Sequence, residues 1–122
     1  MLIETVQELL APLANGRPST PPSPTMDDIG PWRECIDALD RAIMHMLNER
    51  VVCANAIGQI KKVNGMGVYD PRREERVIQN VLEHNHGPLT NEAARRLFER
   101  IIDESRAAER HTYQADANEP EE

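Results

Sequence analysis

Residues 32–62, WRECIDALDRAIMHMLNERVVCANAIGQIKK, contain no proline and a single glycine, Gly58. At 1.5 Å per residue they read as one uninterrupted helix about 46 Å long. Ile36, Leu39, Ile43, Met46, Leu47, Ala54 and Ile57 recur at roughly the three- and four-residue spacing of a helix, which predicts a single buried stripe. The same stripe carries Arg33, Arg50 and Lys61. A long cationic side chain can lie along apolar surface with its charged head in water. Three on one seam are harder to explain that way, because buried charge without a counter-ion is costly. An anionic ligand inside a helical bundle is the alternative. Arg50 and Lys61 are about 17 Å apart along the axis, close enough for two long side chains to bracket a small molecule. Arg33 and Arg50 are about 25 Å apart, too far, so Arg33 would serve the same kind of site only from another copy of the helix.

The rest of the chain fits a small all-α domain with little aromatic content. Of 122 residues, 39% are hydrophobic and 3% aromatic, a modest core that favours oligomerisation. The net charge of −7 argues against a general nucleic-acid binder. Much of it sits at the ends, in Glu4 and Glu8 and in Asp116, Glu119, Glu121 and Glu122, leaving a nearly neutral body suited to a small anion. Cys35 and Cys53, some 27 Å apart on one helix, cannot bridge within a chain and fit a reducing compartment. Glu4 and Glu8 spoil a signal peptide, and no stretch predicts a membrane span. The expectation is a soluble, cytoplasmic protein.

Three regions follow from composition. Residues 1–25 form an N-terminal extension, with a short amphipathic helix expected through Leu13 and a linker holding Pro18, Pro21, Pro22 and Pro24. Residues 26–114 form the helical domain, and 115–122 an acidic tail expected to be disordered. Within the domain, Asp27, Asp28 and Pro31 place the start of the long helix near Trp32. Gly65 and Gly67 mark a loop. Asp70 and Pro71 start a short helix, which Gly87 and Pro88 close and whose apolar face is Val77, Ile78, Val81 and Leu82. Thr90 caps a third helix through Tyr113, with Ala94, Leu97, Phe98, Ile101, Ile102 and Ala108 in register. Extending the short helix's face backwards reaches Arg73 and Glu74, and an arginine in a first turn opposes the helix dipole unless an anion lies nearby. Ser105 and Glu109 continue the inward face of the third helix. His84 and His86 lack a third ligand in register, so no metal is expected. NGMG lacks the continuation of a phosphate-binding loop.

Taken together, RECIDALD (33–40), LNER ending at Arg50, IGQIKK around Lys61, VYDPRREER around Asp70 to Arg76 and RLFERIIDESRAAE ending at Glu109 resemble the all-helical, AroQ-type chorismate mutases, in particular mutase domains fused to aromatic-pathway synthases. The resemblance implies a chain of three helices, one long, one short and one medium, in an intertwined antiparallel homodimer. It implies conversion of chorismate to prephenate in aromatic amino-acid biosynthesis, without cofactor, and a possible pathway synthase as partner. By the same resemblance, Arg33 of a neighbouring copy, Arg50 and Arg73 would hold the substrate carboxylates, with Ser105 supporting one. Lys61 and Glu109 would face the ether oxygen, Glu74 would accept from the ring hydroxyl, and Asp70 would help place that hydroxyl. Some relatives have Gln at the place of Glu109, and a Glu can donate to an ether oxygen only when protonated. Rival readings are an isochorismate-pyruvate lyase or an aminochorismate mutase on the same scaffold, and a non-catalytic helical interaction module.

Overall fold

The computed structural model describes the backbone of residues 2–117 and the side chains of 3–111. It divides into two compact units, Met1–Glu49 and Arg50–Glu122. Among the described residues all regular structure is helical: α1 (Leu2–Leu9), α2 (Ile29–Val63), α3 (Pro71–Glu83) and α4 (Asn91–Ala117), with 3₁₀ turns at Ala11–Leu13 and Met26–Asp28. Among the described residues α2, α3 and α4 are the long, short and medium helices expected of the domain, and the N-terminal amphipathic segment forms a separate short helix, α1. None of these helices is long and apolar enough to cross a membrane.

In the first unit, α2 starts three residues earlier than expected. The Thr25 backbone N–H donates to Asp28 Oδ2 at 2.7 Å, and the Asp28 N–H donates to the Thr25 carbonyl at 3.1 Å. This reciprocal cap organises a turn that leads straight into the helix and leaves Pro31 inside its first turn, where a missing N–H is harmless. The buried face of this part of α2 is not the large-residue stripe but the small residues Cys35, Ala38 and Ala42. Ile36, Leu39, Ile43 and Met46 are exposed on the single chain, Ile36 at 55%. A one-helix pattern finds both faces at the same period, and side-chain size alone does not say which one its own chain covers.

In the second unit, α2 ends in a Schellman motif. Gly65, at φ +68°, lies in the left-handed region, the Met66 N–H donates to the Lys61 carbonyl at 2.7 Å and the Gly65 N–H to the Lys62 carbonyl at 3.1 Å. Asp70 caps α3, its Oδ1 accepting from the Arg73 N–H at 3.1 Å, with Pro71 in the first turn. α3 stops at Glu83 rather than running to Gly87, and the His84 ring meets the Asn80 carbonyl at 2.8 Å. The Thr90 hydroxyl accepts from the Ala93 N–H at 3.1 Å and starts α4. Ile78 on α3 and Ala94 and Ile102 on α4 are buried, with Val77, Val81, Leu82 and Phe98 half-buried around them, while Leu97 is exposed. At the surface, Arg95 on α4 reaches Glu75 on α3 at 3.4 Å. α4 continues helical to Ala117, into the segment expected to be an acidic tail; the remainder of that tail lies outside the described residues.

Candidate active site

The second unit encloses a cavity of about 230 Å³ whose walls come from α2, the loop after it, α3 and α4. Four cations, Arg50, Lys61, Arg73 and Arg106, and three carboxylates, Asp70, Glu74 and Glu109, line it beside apolar Ala54, Ile57, Val68, Val77 and Ile102. The local structure explains each placement. Arg50, Ala54, Ile57 and Lys61 recur at three- and four-residue steps, so one face of α2 presents all four. The Asp70 cap fixes the first turn of α3, and with it Arg73 and Glu74. Glu109 follows Ser105 by one turn of α4, and both are buried, at 8% and 6% exposure.

At one end, Arg50 Nη1 donates to Ser105 Oγ at 2.5 Å. Burial, and then the like charge of Arg73, pull the Arg50 guanidinium below its ordinary value, with Cys53 acting the other way. Two like guanidiniums on one cavity wall can hold an anion between them. Among the described residues no carboxylate stands within ion-pair distance of either.

At the other end, Lys61 Nζ donates to the Val68 carbonyl at 3.1 Å and lies 3.7 Å from Glu109 Oε1. That separation makes a charge pair but is too long for a hydrogen bond, and Glu109 Oε1 is a buried oxygen without a hydrogen-bond donor. Gly58 is buried beside it. A Cβ built there would stand 2.7 Å from Glu109 Cγ, so the absence of a side chain at 58 is what lets Glu109 lie against α2.

Six of the eight residues singled out in the sequence, Arg50, Lys61, Asp70, Arg73, Glu74 and Glu109, meet in this cavity, and Ser105 joins it through Arg50. Arg33 does not: it is an exposed residue of the first unit. Sequence reasoning missed Arg106. Its Nη1 donates to Glu74 Oε1 at 2.5 Å and its Nη2 to Asp103 Oδ1 at 3.0 Å. The Asp103–Arg106 spacing of three along a helix was the available signal, though the same spacing marks many ordinary surface pairs. Among the described residues, no three His, Cys, Asp or Glu side chains group as metal ligands.

Comparison with known proteins gives the family. Residues 32–110 match the family model of chorismate mutase type II. The chain is 40% identical over 89 residues to the bifunctional chorismate mutase/prephenate dehydratase of Neisseria gonorrhoeae, covering 72% of this chain and 24% of the relative. It is 35% identical over 88 residues to the protein of the same name from Stutzerimonas stutzeri, covering 68% and 24%, and 31% identical over 81 residues to that of Aquifex aeolicus, covering 63% and 22%. The chain thus spans about a quarter of the length of these curated relatives. No solved structure gives a significant match. With 79 of its 122 residues aligned to the family model, the span that holds every wall of the cavity, the chain belongs to the type II chorismate mutase family.

Proposed function

We propose that this chain rearranges chorismate to prephenate in the second-unit cavity. The observation that carries the reading is the convergence of Arg50, Lys61 and Arg73 on one small, partly apolar cavity that also holds Glu74 and Glu109. The reaction is unimolecular: the ether carbon–oxygen bond breaks as a carbon–carbon bond forms, and all atoms stay in the one molecule. It requires no nucleophile and no net proton transfer. Holding the compact conformer in which the reacting carbons meet contributes several kcal/mol. A donor aimed at the ether oxygen, where negative charge grows, contributes about 3 to 4 kcal/mol. On this reading Arg50, supported by Ser105, and Arg73 grip carboxylate, Lys61 and Glu109 face the ether oxygen, and Glu74 accepts from the ring hydroxyl, next to the backbone of Asp70.

Glu109 Oε1, buried without a donor, supports this placement, since a bound ligand would meet it. To donate to the ether oxygen the carboxyl must carry a proton.

The working form is an antiparallel homodimer through α2. Ile36, Leu39, Ile43, Met44 and Met46 are exposed on the single chain, an apolar run too extensive for a solitary surface helix. A second copy would cover it and bring its Arg33 to the cavity, in keeping with the axial spacing of Arg33 and Arg50. A cytoplasmic enzyme with residues 26–114 as its catalytic domain is consistent with this.

Loss of chorismate absorbance on adding the protein, with the product identified, tests the function. Prephenate is expected. Salicylate with pyruvate from isochorismate, turnover of an amino analogue alone, or no turnover at all would replace the reading with a lyase, a different mutase or a binding module. Arg50→Ala should lower kcat/KM by about 100-fold or more, and full turnover in that variant would reject the site.

A further inference from the structure

Arg106 is a fourth cation on the cavity wall, and its surroundings differ from those of the other three. Arg50 and Arg73 have no carboxylate partner among the described residues, and Lys61 has one only at 3.7 Å. Arg106 has two carboxylates on its planar fork: Glu74 Oε1 at 2.5 Å across from α3, and Asp103 Oδ1 at 3.0 Å one turn back on α4. Its guanidinium carbon also lies 5.1 Å from the centre of the Tyr69 ring, at the end of the loop that follows α2. The charge is thus already neutralised, which makes it a poor further grip for a dianionic substrate.

We propose that Arg106 is a positioning residue that aims the Glu74 carboxylate at the substrate. The proposal rests on the chorismate reading, in which Glu74 accepts from the ring hydroxyl. A glutamate in the first turn of α3 has three rotatable bonds, and among the described residues Arg106 is the one donor that reaches it. Holding Oε1 fixes the carboxylate plane and leaves Oε2 as the acceptor. Asp103 in turn stops the guanidinium from swinging toward Arg50 and Arg73, and Tyr69 covers its face. A lysine could meet Glu74 or Asp103 in turn but cannot present two N–H groups in a fixed plane to both.

A double-mutant cycle with Glu74→Gln separates positioning from packing and from direct contact. In the otherwise native chain, Arg106→Met should lower kcat/KM about tenfold, chiefly through KM, because the hydroxyl contact is made by substrate and transition state alike. In the Glu74→Gln background the same change should cost less than about twofold, since the group it positions is gone. Arg106→Lys should recover part of the loss. Circular dichroism and the thermal midpoint establish folding in each case. If Arg106→Met does not fold, Asp103→Asn takes its place, with a loss of about two- to threefold that likewise vanishes without Glu74. Equal losses in both backgrounds would overturn the proposal, because a structural role or a direct substrate contact does not depend on Glu74. If the native chain leaves chorismate untouched, the functional reading falls and takes this one with it. If it turns chorismate over and the losses add, only the positioning role falls.

Discussion

Replacing Gly58 with alanine sets helix stability against site geometry at a single atom. Glycine inside a helix costs about 1 kcal/mol relative to alanine, so by local propensity alone Gly58→Ala should stabilise α2. The built Cβ, however, stands 2.7 Å from Glu109 Cγ and 3.5 Å from its carboxyl carbon. Carbon atoms prefer about 3.5 to 4.0 Å, so the Glu109 side chain must retreat by about 1 Å. Crowding of this kind costs roughly 1 to 3 kcal/mol, which offsets the helix gain and leaves stability little changed or modestly lower. The rate should change far more. A misplacement of about 1 Å at a reacting centre can cost about 100-fold, and on the proposed reading Glu109 faces the ether oxygen. The expected outcome is a folded protein with kcat lowered by about 10- to 100-fold. Steady-state chorismate consumption and thermal unfolding on the same preparation measure both. Gly30→Ala is the control, because a Cβ there meets nothing within 4 Å. A Gly58→Ala protein that is folded and turns over within about twofold of the native rate would refute the reasoning, since Glu109 would then act equally well from elsewhere.

Asp70→Ala removes the α3 cap and should cost about 1 kcal/mol in urea denaturation; it should also raise KM, because the loosened turn carries Arg73 and Glu74, and an unchanged KM would detach that turn from binding. Glu109→Gln, whose amide N–H can donate to an ether oxygen, should retain turnover, and loss of turnover in a folded variant would assign Glu109 a different role. Mixing Arg33→Ala with Arg50→Ala chains under exchange should restore about a quarter of native activity, because each mixed dimer then keeps one intact site; no recovery would mean that Arg33 does not cross between chains.

Where the chain writes its structure in local chemistry, the sequence is readable residue by residue. The Asp70–Pro71 start, the Thr90 cap and the Gly65 stop each depend on atoms within a few residues, and each stands where its residue type requires. Boundaries moved where two local signals competed. The Thr25–Asp28 cap begins the helical path ahead of Pro31, and α3 ends at Glu83 before its Gly-Pro punctuation. Two features were not readable, for a different reason. Which face of α2 a single chain buries depends on side chains distant in sequence, and the period of the pattern is the same for Cys35, Ala38 and Ala42 as for Ile36, Leu39 and Ile43. Arg106 lies among the charges of α4, where arginines such as Arg100, paired with Glu104, are ordinary surface residues. What distinguishes Arg106 is Glu74, 32 residues away.

The pairing pattern inside the cavity divides its charges into two groups. Glu74 and Arg106 satisfy one another, Asp103 holds Arg106, and the Asp70 carboxylate is occupied as a helix cap. These groups form a frame. Arg50 and Arg73 have no carboxylate partner among the described residues, and Glu109 Oε1 has no donor. On the proposed reading these groups meet a ligand with carboxylate at one end and an oxygen acceptor in reach of Lys61 and Glu109 at the other. A cavity built only for stability would close such charges on each other, because two like guanidiniums and an orphan carboxylate oxygen all weaken the empty state. On the same reading, leaving them open costs the unoccupied protein stability that a bound dianion restores. On this account Arg50→Met should change the thermal midpoint little while it abolishes turnover, because relief of the like charge of Arg73 offsets the lost bond to buried Ser105. A thermal midpoint that instead falls by several degrees in that variant would place Arg50 in the frame and not in the site.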